Sequence, residues 1–140
     1  MYCMLADLEK RLDPQWLRAL SDDDGDGVAD EGVIAAVIAD ADALIDTFLR
    51  ARFTVPLESV PDIVRTISAA IALYLLLTRR QEIVPPEHLK RYEAALRLLD
   101  ELARGLLALG AGQASTSPSL PQSSREDEER TFGAESLENF

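Results

Sequence analysis

Apolar side chains recur at three- and four-residue intervals along most of the first 110 residues, which is the period of amphipathic helices. The first such stretch is interrupted at Asp13-Pro14, and proline is favoured at the first position of a new helix. The pattern therefore predicts two short helices, with apolar faces formed by Leu5, Leu8 and Leu12 and then by Trp16, Leu17 and Leu20.

A longer amphipathic helix is predicted between Val33 and Leu49, where apolar residues follow the i, i+3, i+4 pattern of one buried stripe. Three acidic residues fall outside this stripe: Asp40, Asp42 and Asp46. We therefore expect all three to face water or a partner.

The stretch from Asp62 to Gln81 is apolar around most of a helix circumference, and Pro61 suits its start. We expect a central, buried helix. Its longest apolar run, Ile67 to Leu77, is about half the length of a membrane span, so we expect no membrane association.

The last predicted helix follows Pro85-Pro86 and runs from Glu87 to Leu109, with leucines along one side. Gly110 and Gly112 are expected to end it. The fold class is therefore all-α, a small domain of about four to five helices with a long core helix near the middle and an extended C-terminal tail.

Composition changes after this helix to Ser, Thr, Pro, Gln and acidic residues, which is typical of a flexible linker. Apolar residues return only at the C-terminus, where Phe132, Leu137 and Phe140 are candidate partner contacts. We predict a helical domain over residues 1–112, a flexible strap over 113–130 and a docking peptide over 131–140.

The chain is strongly acidic, with a formal net charge of -11 and a pI near 4.4. Proteins that grip nucleic acid through its phosphates are normally basic, so direct DNA binding is not expected. Cys3 is the only cysteine, which excludes an intramolecular disulfide and a cysteine-based zinc site. The first residues show no basic segment followed by an apolar stretch, so no secretion signal is expected.

The sharpest local motif is the acidic, glycine-containing segment from Asp22 to Glu31. Aligned with a calcium-binding loop, it has acids at positions 1, 3 and 5, the turn-forming glycine at position 6 and an acid at position 9. Position 12 is Val33 instead of the bidentate glutamate, and Glu31 comes two residues early. The predicted oxygen ligands for calcium are Asp22, Asp24, Asp26, the Val28 carbonyl, Asp30 and Glu31.

The alternative for this segment is a turn that caps the next helix, with Asp30 as the N-cap and the carboxylates stabilised by the helix dipole. The two interpretations are compatible, because a calcium loop also begins a helix.

No catalytic constellation is recognisable. His88 is the only histidine and is expected to be a solvated surface residue, and no serine lies in a nucleophile elbow. There is no glycine-rich phosphate loop. We therefore expect no enzymatic activity.

Most of the positive charge lies on arginines and lysines of the longer predicted helices. These side chains are expected to form solvated helix faces, or else a basic face on which the acidic tail of the next subunit docks. The residues are Arg50, Arg52, Arg79, Arg80, Lys90, Arg91, Arg97 and Arg104.

Several segments, in this order, resemble the Mu-like phage head–tail connector, or neck, proteins. They are the opening Met1 to Leu8, the loop from Asp22 to Glu31, the helix around Ile38 to Asp46, Leu49 to Leu57, Arg91 to Leu96, and the terminus from Phe132 to Phe140. The resemblance covers nearly the whole chain and is weakest between Gln113 and Glu129.

This resemblance implies a virion protein of the neck, present in the host cytoplasm during assembly. It would form a homo-oligomeric ring of about twelve copies below the portal protein, extend the DNA channel and present a surface to a tail-side neck or tail terminator protein. DNA would pass through without specific binding. The alternative function is a monomeric, calcium-dependent protein-interaction module.

Overall fold

The computed structural model describes residues 1–80 and 83–110, and all regular secondary structure in these residues is α-helical, which confirms the predicted all-α class. The five helices are α1 (Leu5–Glu9), α2 (Pro14–Ser21), α3 (Glu31–Leu49), α4 (Asp62–Arg79) and α5 (Pro86–Arg104). The predicted strap and docking peptide, with Phe132, Leu137 and Phe140, lie outside the described residues.

Local sequence signals account for the helix starts. The Asp13 carboxylate caps α2, accepting hydrogen bonds from the amides of Gln15 at 2.8 Å and Trp16 at 3.3 Å, and Pro14 occupies the first helical position. Pro86 has the same place in α5, whereas Pro61 is the N-cap of α4 and not its first helical residue.

Helix α4 is the centre of the fold, as its apolar circumference predicts. It packs against each of the other four helices. Leu73, Leu76 and Leu77 are at most 2% exposed, and burying each stabilises the fold by about 2 kcal/mol. Within the described residues, no helix is both long and apolar enough to cross a bilayer.

Helix α5 ends earlier than the sequence predicts, at Arg104 instead of Leu109. Gly105 ends it with a φ of 79°, a left-handed conformation that glycine adopts without strain. The amide of Gly105 donates to the Leu102 carbonyl at 3.2 Å and that of Leu106 to the Glu101 carbonyl at 2.9 Å, the paired bonds of a Schellman motif. Gly105 therefore stops the helix, and Gly110 lies beyond its end.

The prediction that all three aspartates of α3 face outward is wrong for two of them. Asp40 is exposed, but Asp42 and Asp46 are half-buried beneath the first residues of the chain. The Tyr2 amide donates to Asp42 at 3.0 Å, and the Tyr2 hydroxyl donates to Asp46. These side chains therefore belong to the packing of the N-terminal segment.

The same network reaches α4. The Ser68 hydroxyl is fully buried and lies 3.0 Å from Asp42 Oδ1 and 3.2 Å from Cys3 Sγ. A hydroxyl has one proton to donate, so it goes to the carboxylate, and the Cys3 thiol donates to Ser68. Burial raises the pKa of Cys3, which keeps the thiol protonated for that role.

His88 is buried, with 4% of its surface exposed, so the expectation of a solvated histidine is wrong. Its ring packs against that of Trp16 in a T-shaped arrangement, with ring centroids 6.2 Å apart. Burial lowers the pKa of His88, because removal from water disfavours the charged imidazolium. His88 is thus a neutral core residue that joins α5 to α2.

Candidate metal site

The acidic loop connects α2 to α3 and is closed at its base by the backbone. The amide of Asp30 donates to the carbonyl of Ser21 at 3.1 Å, so the two ends of the loop lie side by side. Gly25 and Gly27 have φ values of 78° and 82°, left-handed conformations that glycine adopts without strain and that bend the chain within the loop. The turn-forming role predicted for Gly27 is present.

Three of the predicted ligands converge. Carboxylate oxygens of Asp22, Asp24 and Asp30, one from each residue, all lie within 4.8 Å of one another. Asp22 and Asp30 are half-buried and Asp24 is exposed. This arrangement brings together three carboxylate oxygens from the two ends of the loop, and oxygen is the donor type that calcium prefers.

The other two predicted carboxylates, those of Asp26 and Glu31, are not part of that group. The Asp26 carboxylate accepts a hydrogen bond from the Val28 amide at 2.8 Å, while the Val28 carbonyl stays a predicted backbone ligand. Glu31 is the first residue of α3 and is exposed. With Val33 at the twelfth position, a cation held by the three carboxylates would draw its remaining ligands from backbone carbonyls and water.

The carboxylates also organise the loop by hydrogen bonding. Asp22 accepts from the amides of Gly25 at 2.7 Å and Gly27 at 2.9 Å, and Asp24 accepts from the amide of Asp26 at 3.1 Å. Short local bonds of this kind also stabilise turns that hold no ion. The loop geometry therefore suits a cation but does not require one.

The capping alternative predicts that the Asp30 side chain caps α3. Asp30 is the N-cap residue of α3, as predicted, but its side chain makes no capping hydrogen bond. Its carboxylate instead accepts from the amide of Asp23 at 2.8 Å. The position of the cap was predicted correctly, while the side chain serves the loop and not the helix end.

The close carboxylates shift one another's acidity in opposite directions. The Gly27 amide and other donors hold the pKa of Asp22 below its usual value. The pKa of Asp24 is raised. The hydrogen bond from the Asp26 amide lowers it, but this effect is outweighed by the hydrogen bond with Asp22, by partial desolvation and by the negative charges of Asp26 and Asp30. A divalent cation would relieve this repulsion.

An anchor that the sequence reading missed holds the loop to the C-terminal end of α4. Arg79 Nη1 donates to Asp23 Oδ1 at 2.9 Å, and Arg80 Nη2 donates to the same oxygen at 3.0 Å. The Arg79 guanidinium lowers the pKa of Asp23. Two arginines at a predicted helix end were visible in the sequence, but their partner lies 56 and 57 positions away. The loop is thus tied to the central helix through Asp23, which leaves Asp22 and Asp24 on either side free to converge.

Comparison with known proteins identifies relatives in Mu-like phages. The family model described as Bacteriophage Mu, Gp36 matches residues 2–127. The Mu-like prophage FluMu protein gp36 of Haemophilus influenzae is 31% identical over 81 residues, which is 58% of this chain and 55% of that protein. Gene product J of Escherichia phage Mu is 33% identical over 81 residues, 57% of this chain and 55% of that protein.

The matched segment therefore spans about half the length of each of these relatives. The family model, in contrast, extends over most of this chain, from the N-terminal segment through all five helices and beyond the described residues. The chain belongs to the Bacteriophage Mu Gp36 family of phage proteins.

Proposed function

We propose that this protein is a structural component of the virion, a head–tail connector that forms a ring below the portal protein. The observation that carries the proposal is membership of the phage Mu Gp36 family over residues 2–127. The order of its segments, which resembles that of neck proteins, supports the finer assignment.

The charge of the chain is consistent with a channel-lining role. DNA is repelled by a surface of its own sign, so an acidic ring would let it pass without adhering. The formal net charge of -11 provides such a surface, and exposed acids of the α2–α3 loop contribute to it. The helices around α4 would form the body of each subunit.

The proposed assembly contains about twelve copies, which a cyclic ring closes through identical contacts between neighbours. One face would bind the portal protein and the other a tail-side neck or tail terminator protein. Phe132, Leu137 and Phe140 are the proposed partner contacts of the terminal peptide. The assembled protein would reside in the virion neck after assembly in the host cytoplasm.

Deletion of the gene from its phage genome tests this function. We expect lysates that contain DNA-filled heads and separate, complete tails, because only the joint between them is missing. Electron microscopy of the lysate shows whether heads and tails are separate. A plasmid copy of the gene should restore joined, infectious particles. Infectious particles without the gene, or heads that never fill with DNA, would contradict a connector role.

Calcium binding to the α2–α3 loop is a second proposal, favoured by the convergence of Asp22, Asp24 and Asp30. A ligand that binds only the folded state at about ten times its dissociation constant adds about 1.4 kcal/mol of stability. We therefore expect millimolar calcium to raise the melting temperature by a few degrees. Asp24→Asn should remove most of this shift, whereas Asp40→Asn, on the exposed face of α3, should retain it.

The pH dependence of calcium binding gives an independent check. Because the pKa of Asp24 is raised, protons compete with calcium at a higher pH than at an ordinary aspartate. Affinity should be full at neutral pH and decline as the solution is acidified, because protonation of Asp24 removes one of the three carboxylate ligands. An unchanged melting temperature at 10 mM calcium, about ten times the dissociation constant of a weak loop, would disprove the site.

The alternative function, a monomeric calcium-dependent interaction module, is separated from the connector by sizing the protein with and without calcium. A module would remain monomeric and expose an apolar surface when calcium binds. A connector subunit would form rings with the portal protein whether or not calcium is present.

A further inference from the structure

A cavity of about 500 Å³ lies between the end of α1 and the helices α4 and α5. Its floor is apolar and includes Ile67, Leu73 and Leu98. This volume is large enough for one or two large apolar side chains, and none of the described residues fills it.

The rim of the cavity is cationic. Lys10, Arg11 and Arg91 line it, and none of the three forms an ion pair with a carboxylate of the described residues. Among the other described arginines, Arg65, Arg79, Arg80 and Arg104 form ion pairs, and the rest do not. What distinguishes the rim is that three unpaired cations surround one opening. An unneutralised cationic rim in a chain of net charge -11 favours an acidic occupant.

The C-terminal sixteen residues, 125–140, have the complementary chemistry. They contain six acids and two arginines, together with the apolar side chains of Phe132, Leu137 and Phe140. The acidic side chains complement the cationic rim, and the aromatic rings complement the apolar floor. This pairing of charge and apolar anchors is the pattern by which short peptides bind a groove.

The intervening chain has the right length. The described residues end at Gly110, beyond the C-terminal end of α5, and the thirteen residue steps from Arg91 to Arg104 correspond to about 20 Å along the helix. Fourteen residues, 111–124, separate this end from the peptide, and linkers of this Ser-containing composition and length have a root-mean-square span of about 20 Å. A linker matched to its span gives the tethered peptide a millimolar effective concentration.

We propose that residues 125–140 dock into the α1–α4–α5 cavity of the same chain in the unassembled protein, with aromatic side chains on the apolar floor and acids on the cationic rim. This goes beyond the connector role and does not depend on it. The terminal peptide is then held by its own subunit until a partner is met.

Trp16 provides a built-in probe, because it is the only tryptophan of the chain and touches His88, which lines the cavity. The full-length chain with Phe132→Ala, Leu137→Ala and Phe140→Ala should show altered Trp16 emission and faster amide exchange in residues 88–98. Adding a synthetic peptide of residues 125–140 should reverse both changes in this variant and have little effect on the wild type, whose cavity is already occupied. A peptide of scrambled sequence should do neither.

The rim is tested with Arg91→Glu, added to the same variant, and Arg97→Glu is its control, since Arg97 is an exposed residue of α5 outside the cavity. Arg91→Glu should weaken peptide binding by about five- to tenfold, and Arg97→Glu by much less. Equal effects of the two, or no peptide binding at millimolar concentration, would overturn the proposal. The proposal would also be overturned if Trp16 emission of the wild type changed on dilution and size-exclusion chromatography showed dimers, because the peptide would then dock between chains.

Discussion

Gly105→Ala is expected to destabilise the fold by about 2 to 3 kcal/mol, although it adds only a methyl group. One part of the loss is the left-handed φ of 79°, which costs an L-residue about 1 kcal/mol or more. The other part is steric, because a Cβ at this position would overlap the Arg52 guanidinium. Arg52 is half-buried, and its Nε is enclosed without a hydrogen-bond partner among the described residues, so the side chain has little room to retreat.

Three other variants separate the two parts in urea unfolding experiments. Gly110→Ala has a similar φ of 95°, and no described residue lies within 4 Å of the new Cβ, so it should show the backbone cost alone. Gly32→Ala, inside α3 with open space around it, should stabilise by about 0.5 to 1 kcal/mol. In an Arg52→Ala background, the cost of Gly105→Ala should fall to that of Gly110→Ala. If it does not fall, the close approach of Arg52 to Gly105 is not the cause.

Asp42→Ala is the second variant with a large expected effect, a loss of about 2 to 4 kcal/mol. The carboxylate accepts the Tyr2 amide at 3.0 Å and the buried Ser68 hydroxyl at 3.0 Å, and the substitution leaves both donors without their charged acceptor. It would also release the first residues of the chain from α3 and α4. Thermal or urea unfolding measures the loss, and faster amide exchange at residues 2 and 3 would report the release.

Asp40→Ala is the matched control, since it removes the same carboxylate from an exposed position two residues earlier in the same helix. Its effect should stay within about 0.5 kcal/mol of zero. Asp42→Asn should lie between the two, because an amide oxygen still accepts hydrogen bonds but carries no charge. Equal, small losses for Asp40→Ala and Asp42→Ala would show that the buried network contributes nothing to stability.

The same hydrogen-bond network explains why the sequence pattern wrongly predicts that Asp46 faces outward. Asp46 accepts the Tyr2 hydroxyl, and the Leu57 amide donates to that hydroxyl at 3.0 Å. Burial and the hydrogen bond to Asp46 raise the pKa of Tyr2 to about 12. Helical periodicity predicts that Asp46 is off the core stripe of α3, but it says nothing of a segment 44 residues away that covers it.

Much of the candidate metal site was accessible to sequence reasoning. Loop chemistry is local, so the glycines and acids at fixed offsets predicted a chain reversal at Gly27 and a helix start at Asp30. The selection of Asp22, Asp24 and Asp30 as the convergent set was not accessible, because it depends on how the two loop ends are closed by the bond between Asp30 and Ser21. The attachment of Asp23 to α4 depends on the packing of helices that are distant in sequence.

The sequence by itself determined the all-helical class, the start of α2 at Pro14, the start of α5 to within one residue of Glu87, and the central place of α4. These features follow from the local backbone restriction of proline and from the 3.6-residue period of apolar burial, which act over one or two helical turns. Only the tertiary structure decided that α5 ends at Gly105 and not at Gly110. It also decided that His88 is buried, that Asp42 and Asp46 are half-buried, and that a cavity with a cationic rim lies between α1, α4 and α5. Each of these depends on which surfaces meet across tens of residues, and a polar side chain is buried only where folding brings it a partner.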